Sequence, residues 1–200
     1  MSSQRKRLIM LLGILYALHG WGMDMQSEEA KTLADFNNMD EQSQWRVVND
    51  GVMGGLSTSQ MKMTEQKTAI FAGEVSLENN GGFASVRRAP HDYELAGFDG
   101  VMLRVKGDGR TYQLRVRTND RFDGVAYRKE FKTKPDEWLE VKISFSAMEP
   151  TFRGRKVPDA PPLKAENIRQ SGFLIGDKKA GPFRLEIDWI KAYREENGEQ

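Results

Sequence analysis

The sequence predicts one all-β domain, a sandwich or jelly roll, on three observations. Strand-length runs follow one another after Gly55, each bounded by glycine, proline, asparagine or aspartate. Within them apolar and polar residues alternate with a period of two, which turns one face of a strand to a core and the other to water. Long helical periodicity and internal repeats are both absent, so neither a helical layer nor a second domain is supported.

The N-terminus reads as a targeting segment and not as fold. Arg5, Lys6 and Arg7 form a basic head, Leu8 to Leu18 is an apolar run, and Gly20 and Gly22 permit cleavage before Met23. Residues 1–22 are expected to be a signal peptide that exports the protein to the periplasm or beyond the cell. An uncleaved leader anchoring the chain in a membrane is the alternative. A mitochondrial presequence fits less well, because such segments spread arginines along an amphipathic face. A polar, acidic linker over 23–32 follows, then the domain over 33–195 and a tail over 196–200.

The most distinctive stretch is Trp45 to Ser57. Trp45, Val47 and Val48 end a strand, Asn49-Asp50-Gly51 turns, and Gly54-Gly55 bends again, so Val52 and Met53 are presented on a loop held at both ends. Beyond it Met61 and Met63 share a parity. Phe71, Val75 and Leu77 share another, and Asn79-Asn80-Gly81-Gly82 suits positive φ and predicts a hairpin returning through Phe83 to Arg88. Val101, Leu103 and Val105 then lead through Gly107-Asp108-Gly109 into Tyr112, Leu114 and Val116, a second predicted hairpin. Gly124 to Phe131, Trp138 to Phe145, Ser171 to Ile175 and Phe183 to Tyr193 supply further strands, with Phe183, Leu185, Ile187 and Trp189 on one parity. Glu149 to Pro162, basic at Arg153, Arg155 and Lys156, is the longest irregular stretch and a candidate mobile loop. Lys164 to Gln170 reads as one helical turn.

Trp45-x-x-Val-Asn-Asp-Gly-Val-Met-Gly-Gly-x-Ser57 resembles the signature of the complex I intermediate-associated protein 30 family. Phe71 to Arg87, Val105 to Tyr112, Trp138 with Phe145, Phe152-Arg153-Gly154 and Gly172 to Lys178 are similar to further family segments in the same order. The resemblance runs from about Phe36 to Tyr193. It implies a galactose-binding-like jelly roll, a short strand near Leu33 to Phe36 ahead of the tryptophan motif, and a chaperone-like role in assembling respiratory complex I.

Composition excludes several chemistries. The chain carries 30 basic and 29 acidic residues; removing Arg5, Lys6 and Arg7 leaves 27 against 29, which does not suit a nucleic-acid binder. Without cysteine there is no disulfide, thiolate metal site or cysteine nucleophile, and His91 is the one histidine after the expected leader. No nucleophile elbow, phosphate loop or dinucleotide fingerprint occurs. No catalytic residue and no cofactor is therefore expected, although Asp50 and Asp108 beside glycines leave a structural calcium ion open.

What remains is binding. Arg115 and Arg117 with Arg87 would line the polar face of a sheet and offer planar donors to carboxylates, sugar hydroxyls or backbone; the same parity also fits plain solvation. Asn49, Asp50 and Ser57 either form one rim of a site or cap their own turn, and Met53 offers adaptable apolar contact. Phe152 and Arg153 are further candidates, whereas Trp138 is either a platform or core. The expected function is non-enzymatic assembly of a protein client, including respiratory-complex subunits, with an exported carbohydrate-binding module as the alternative. A membrane enters only through an uncleaved leader.

Overall fold

A computed structural model describes residues 30–38 and 40–195, and in them the chain folds as a jelly-roll sandwich of two antiparallel sheets. Its strands are β1 (Lys31–Asp35), β2 (Trp45–Val47), β3 (Thr58–Met63), β4 (Ala69–Val75), β5 (Ala84–Arg88), β6 (Gly100–Lys106) and β7 (Thr111–Arg117). They continue with β8 (Ala126–Lys132), β9 (Trp138–Ser144), β10 (Glu149–Phe152), β11 (Arg155–Lys156), β12 (Gln170–Ile175) and β13 (Gly181–Tyr193). The first sheet runs β3-β4-β13-β6-β9, with β1 also on β13; the second runs β11-β10-β8-β7-β12-β5-β2. The leader and the tail expected at the two ends fall on residues 1–22 and 196–200, outside the described residues.

The alternation read from the sequence builds the core. Phe71, Leu103, Val105, Leu185 and Ile187 point inward from the first sheet, and Val86, Tyr112, Leu114, Phe173 and Ile175 from the second, all almost completely buried. Burying each such side chain stabilises the fold by about 1.5–3 kcal/mol before entropy is counted. Trp45 closes one flank, its ring stacked 6.2 Å from Phe173. Its indole Nε1 donates to Glu41 Oε1 at 2.9 Å from a single helical turn, α1 (Asp40–Ser43), and the same carboxylate holds Arg88 in a two-pronged ion pair.

Both predicted hairpins are corrected. β4 pairs with β3 and β13 while β5 pairs with β12 and β2, so the Asn79 to Gly82 turn carries the chain from one sheet to the other. The same holds for β6 and β7 across Gly107 to Gly109. The turn chemistry itself is as expected, with Asn79, Asn80, Gly82 and Gly109 all at positive φ. A turn residue fixes that the chain reverses, not which sheet receives it.

Other boundaries shift. β1 begins at Lys31, inside the expected linker. The irregular stretch after Glu149 opens with a short hairpin of β10 and β11. In β13 the register slips between Ile187 and Trp189, a bulge at Asp188 that turns Trp189 to the outer face against its expected parity. Trp138, in register with Lys106, also lies on that outer face and not in the core. Arg104 and Lys106 stand over its ring at 4.9 and 5.0 Å.

Candidate functional site

Two regions gather the residues singled out from the sequence, and they prove to be of different kinds. The first is the turn after β2. Asp50 is completely buried, and its carboxylate accepts four hydrogen bonds: from the Ser57 backbone N–H at 3.0 Å, the Ser57 hydroxyl at 2.5 Å, and the Gly82 and Phe83 N–H groups at 2.7 and 3.2 Å. Burial works against the charge, yet these donors outweigh it and hold the carboxyl below its ordinary range.

The glycines of the motif make this possible. Gly54 sits at φ 89°, a left-handed conformation open to glycine at no steric cost. A Cβ on Gly55 would lie 2.4 Å from Asp50 Cγ, and one on Gly81 would lie 2.6 Å from Asp50 Oδ2. Asn49 Oδ1 accepts from the Ser59 hydroxyl at 2.7 Å and from the Ser85 N–H at 3.3 Å. Asn49, Asp50 and Ser57 are therefore an internal clamp tying the β2–β3 crossing to the β4–β5 turn, and they do not line an open rim. Around the clamp Met53 stands 55% exposed, with Leu56 and Leu77 also uncovered. Asp108 is likewise engaged internally, accepting from the Arg110 N–H, the Tyr112 hydroxyl and the Arg184 N–H at 2.8–3.0 Å. Among the described residues no group of three or more histidines, cysteines or acids could hold a metal ion.

The second region is the outer face of the second sheet. β12 lies between β5 and β7, and Gly172 is in register with Arg87 on one side and Arg115 on the other. The two arginine Cα atoms thus stand about 10 Å apart, twice the strand spacing, with no side chain between them. Gly172 cannot carry one, since its Cβ would meet the Val86 carbonyl oxygen at 2.3 Å. Arg117 follows along β7 opposite Gln170, Arg128 is in register with Arg115, and Arg46 with Arg87. Five arginines occupy one face, of which sequence reasoning named three. Arg46 and Arg128 were missed, although their outward parity became readable once strand pairing was known.

The loop from Thr118 to Val125, between β7 and β8, folds over this face. The Phe122 carbonyl accepts from Arg87 at 2.5 Å, the Gly124 carbonyl from Arg117 at 2.6 Å, and the Asn119 and Arg121 carbonyls from Gln170 Nε2 at 2.6 and 3.0 Å. The Phe122 ring is 51% exposed, with Arg46 and Arg87 at 5.3 and 5.2 Å. Asp123 in the same loop pairs with Arg153 at 2.9 Å, and Arg153 also stacks on Phe152, so the β10–β11 tip joins this region.

Arg115 is the least satisfied of the group. Its Nη2 donates to Thr151 Oγ1 at a long 3.3 Å, and its buried Nε has no hydrogen-bond partner; nor has the Nε of Arg128. Among the described residues neither Arg87 nor Arg115 has a carboxylate within ion-pair distance. Burial, with Arg87 and Arg128 nearby, lowers Arg115 to about 10, and burial with Arg117 and Arg46 does the same to Arg87. Both remain cationic near neutrality. Between them is a cleft with about 30 Å³ of accessible space, lined by Ser85, Arg87, Arg115, Arg117, Gln170 and Gly172.

Residues 34–187 match the family described as complex I intermediate-associated protein 30. The mouse protein named Complex I intermediate-associated protein 30, mitochondrial, is 30% identical over 83% of this chain and 57% of its own length. The Drosophila melanogaster protein of that name is 25% identical over 81% of this chain and 62% of its own. The chain thus spans little more than half the length of these relatives. Their names, and that of a probable Caenorhabditis elegans counterpart, are mitochondrial, which overturns the expectation of export or of a leader-anchored form. A basic head before an apolar run marks a hydrophobic segment and leaves open which machinery receives it. Among solved structures, a family 11 carbohydrate-binding module from Clostridium thermocellum, in complex with a mixed-linked tetrasaccharide, superposes with a TM-score of 0.63 at 17% identity. The match covers 82% of this chain and 95% of that one. A second such module, from a cellulosomal cellulase, gives 0.64 at 16% identity, over 84% and 96%. These structures share the fold.

Proposed function

Because the chain belongs to the complex I intermediate-associated protein 30 family, we propose that it acts without catalysis as a chaperone-like factor, holding a protein client during assembly of respiratory complex I. Its proposed setting is that of its relatives, the mitochondrion. The observation that carries the reading is the arginine face of the second sheet, where Arg115 keeps a buried donor without a partner and Arg46 and Arg87 flank the exposed Phe122 ring. A surface combining desolvated arginines with an uncovered aromatic has the make-up of a protein-binding hot spot. Met53, Leu56 and Leu77 supply a second, adaptable apolar contact at the neighbouring rim.

The carbohydrate alternative rests on shared fold, and fold does not fix function. A cleft of about 30 Å³ is small beside the several hundred Å³ usual for small-molecule sites. The test is recovery of partners by the tagged protein from respiratory membranes in mild detergent, run beside a glycan array, with Arg115→Ala as the control. Complex I subunits recovered by the wild type and depleted in the variant, with a silent array, are the expected result. Array signals lost in Arg115→Ala, with no membrane subunit recovered, would reverse the assignment.

A further inference from the structure

We propose that the cleft between Arg87 and Arg115, floored by the Gly172 backbone, receives a single carboxylate from an acidic segment of the protein client. The inference rests on the client-binding reading above and supplies its recognition chemistry. Strand register sets the geometry: Arg87 and Arg115 flank β12 from its two sides and both line the cleft, and the missing side chain at Gly172 leaves the space between them to an incoming group, while the Arg115 guanidinium itself extends across β8 to Thr151 on β10.

Donor count supplies the demand. A guanidinium has five N–H donors, yet Arg87 donates to the Phe122 carbonyl and Arg115 to Thr151 Oγ1, and the buried Arg115 Nε has no partner among the described residues. Charge adds to it, because Arg46, Arg117 and Arg128 crowd the same face, so an anion entering here relieves repulsion between the arginines. The acids that interact with this group have cation partners already: Glu130 pairs with Arg128, Asp123 with Arg153, and Glu149 with Lys156. At about 30 Å³ the cleft matches a group the size of one carboxylate. Across the sandwich the corresponding cations have their own acids: Arg104 pairs with Asp188, and Lys106 and Arg184 with Glu186.

The experiment is fluorescence anisotropy of a labelled hexaglutamate peptide titrated with the full chain at low salt, with hexaglutamine as the neutral peptide. Inorganic phosphate and phosphatidylglycerol vesicles serve as the other anion sources. Hexaglutamate should bind and hexaglutamine should not. Arg115→Gln and Arg87→Gln should each weaken binding about tenfold or more, and Arg115→Lys should also weaken it, because a point charge does not replace the fork. Arg104→Gln, on the other sheet, should leave affinity within about twofold, a rim charge being worth little. Circular dichroism melts of all variants establish that they are folded. Equal losses from Arg104→Gln and Arg115→Gln would show a diffuse charge effect and overturn the proposal. So would binding of the vesicles that depends on Arg115 while the peptide fails to bind. Either failure leaves recovery of complex I subunits as the separate test of the client reading, which falls only if that recovery is absent.

Discussion

Asp50 and Arg115 are both charged groups drawn out of water, and the chain treats them in opposite ways. The Asp50 carboxylate is fully buried and accepts four hydrogen bonds, all from Ser57, Gly82 and Phe83. Arg115 has one long hydrogen bond, an orphaned Nε and other arginines for neighbours. A buried charge whose partners are complete belongs to the fold; one left short of partners implies a group still to come.

The sharpest way to break this contrast is at Asp50. Asp50→Asn keeps the shape but sets an NH2 against backbone N–H donors, so at least one buried donor loses its acceptor. The expected cost is about 3 kcal/mol, read as a lower midpoint in urea unfolding with an unchanged slope. A loss under about 0.5 kcal/mol, the size of an ordinary surface change, would mean that the clamp is not a structural element. Gly55→Ala attacks the same clamp from the other side. Its methyl would lie 2.4 Å from Asp50 Cγ and must displace that side chain, and the overpacking should cost about 2 kcal/mol.

Acid sharpens the contrast without changing a contact. Asp50 is held below its ordinary value of 3.8, so the unfolded chain takes up the proton first as pH falls. The stability this carboxylate provides is complete above the unfolded value and is lost as pH drops through the lower folded one. Wild-type stability measured by urea titration should therefore fall below about pH 4 more steeply than that of Asp50→Asn, which lacks the group. Parallel curves would assign the acid sensitivity to other carboxylates.

Much of this was legible in the sequence, and the limits have physical causes. Period-two alternation revealed the strands and inner faces because burial acts residue by residue: Phe71, Leu103, Tyr112 and Leu185 are all buried as expected. It failed where a distant partner decides. The bulge at Asp188 reverses the parity of Trp189, and nothing local announces it. The Asn79 to Gly82 turn crosses between sheets because β4 and β5 find partners far along the chain, at β13 and β12. At the site, Asn49, Asp50 and Ser57 stood beside Arg87, Arg115 and Arg117 as equal candidates. Residue type says that a group can hydrogen-bond; only tertiary contacts say whether it already has.

The smallest expected effect bears most directly on function. Arg115→Met retains the length and apolar stem of the side chain and removes the guanidinium that burial and Arg87 and Arg128 disfavour. Its one hydrogen bond, at 3.3 Å to Thr151 Oγ1, is weak, and that hydroxyl keeps its own bond to the Ala126 carbonyl at 3.0 Å. Unfolding stability should therefore be unchanged or higher by up to about 1 kcal/mol, as when ill-paired buried charges are replaced by apolar groups of similar volume. Calorimetric melting of the pure protein measures this, and the pull-down measures what is lost in exchange. A residue whose removal steadies the fold while emptying the pull-down is one retained for its partner. A clear destabilisation would instead put Arg115 with Asp50, among the groups that hold the sandwich together.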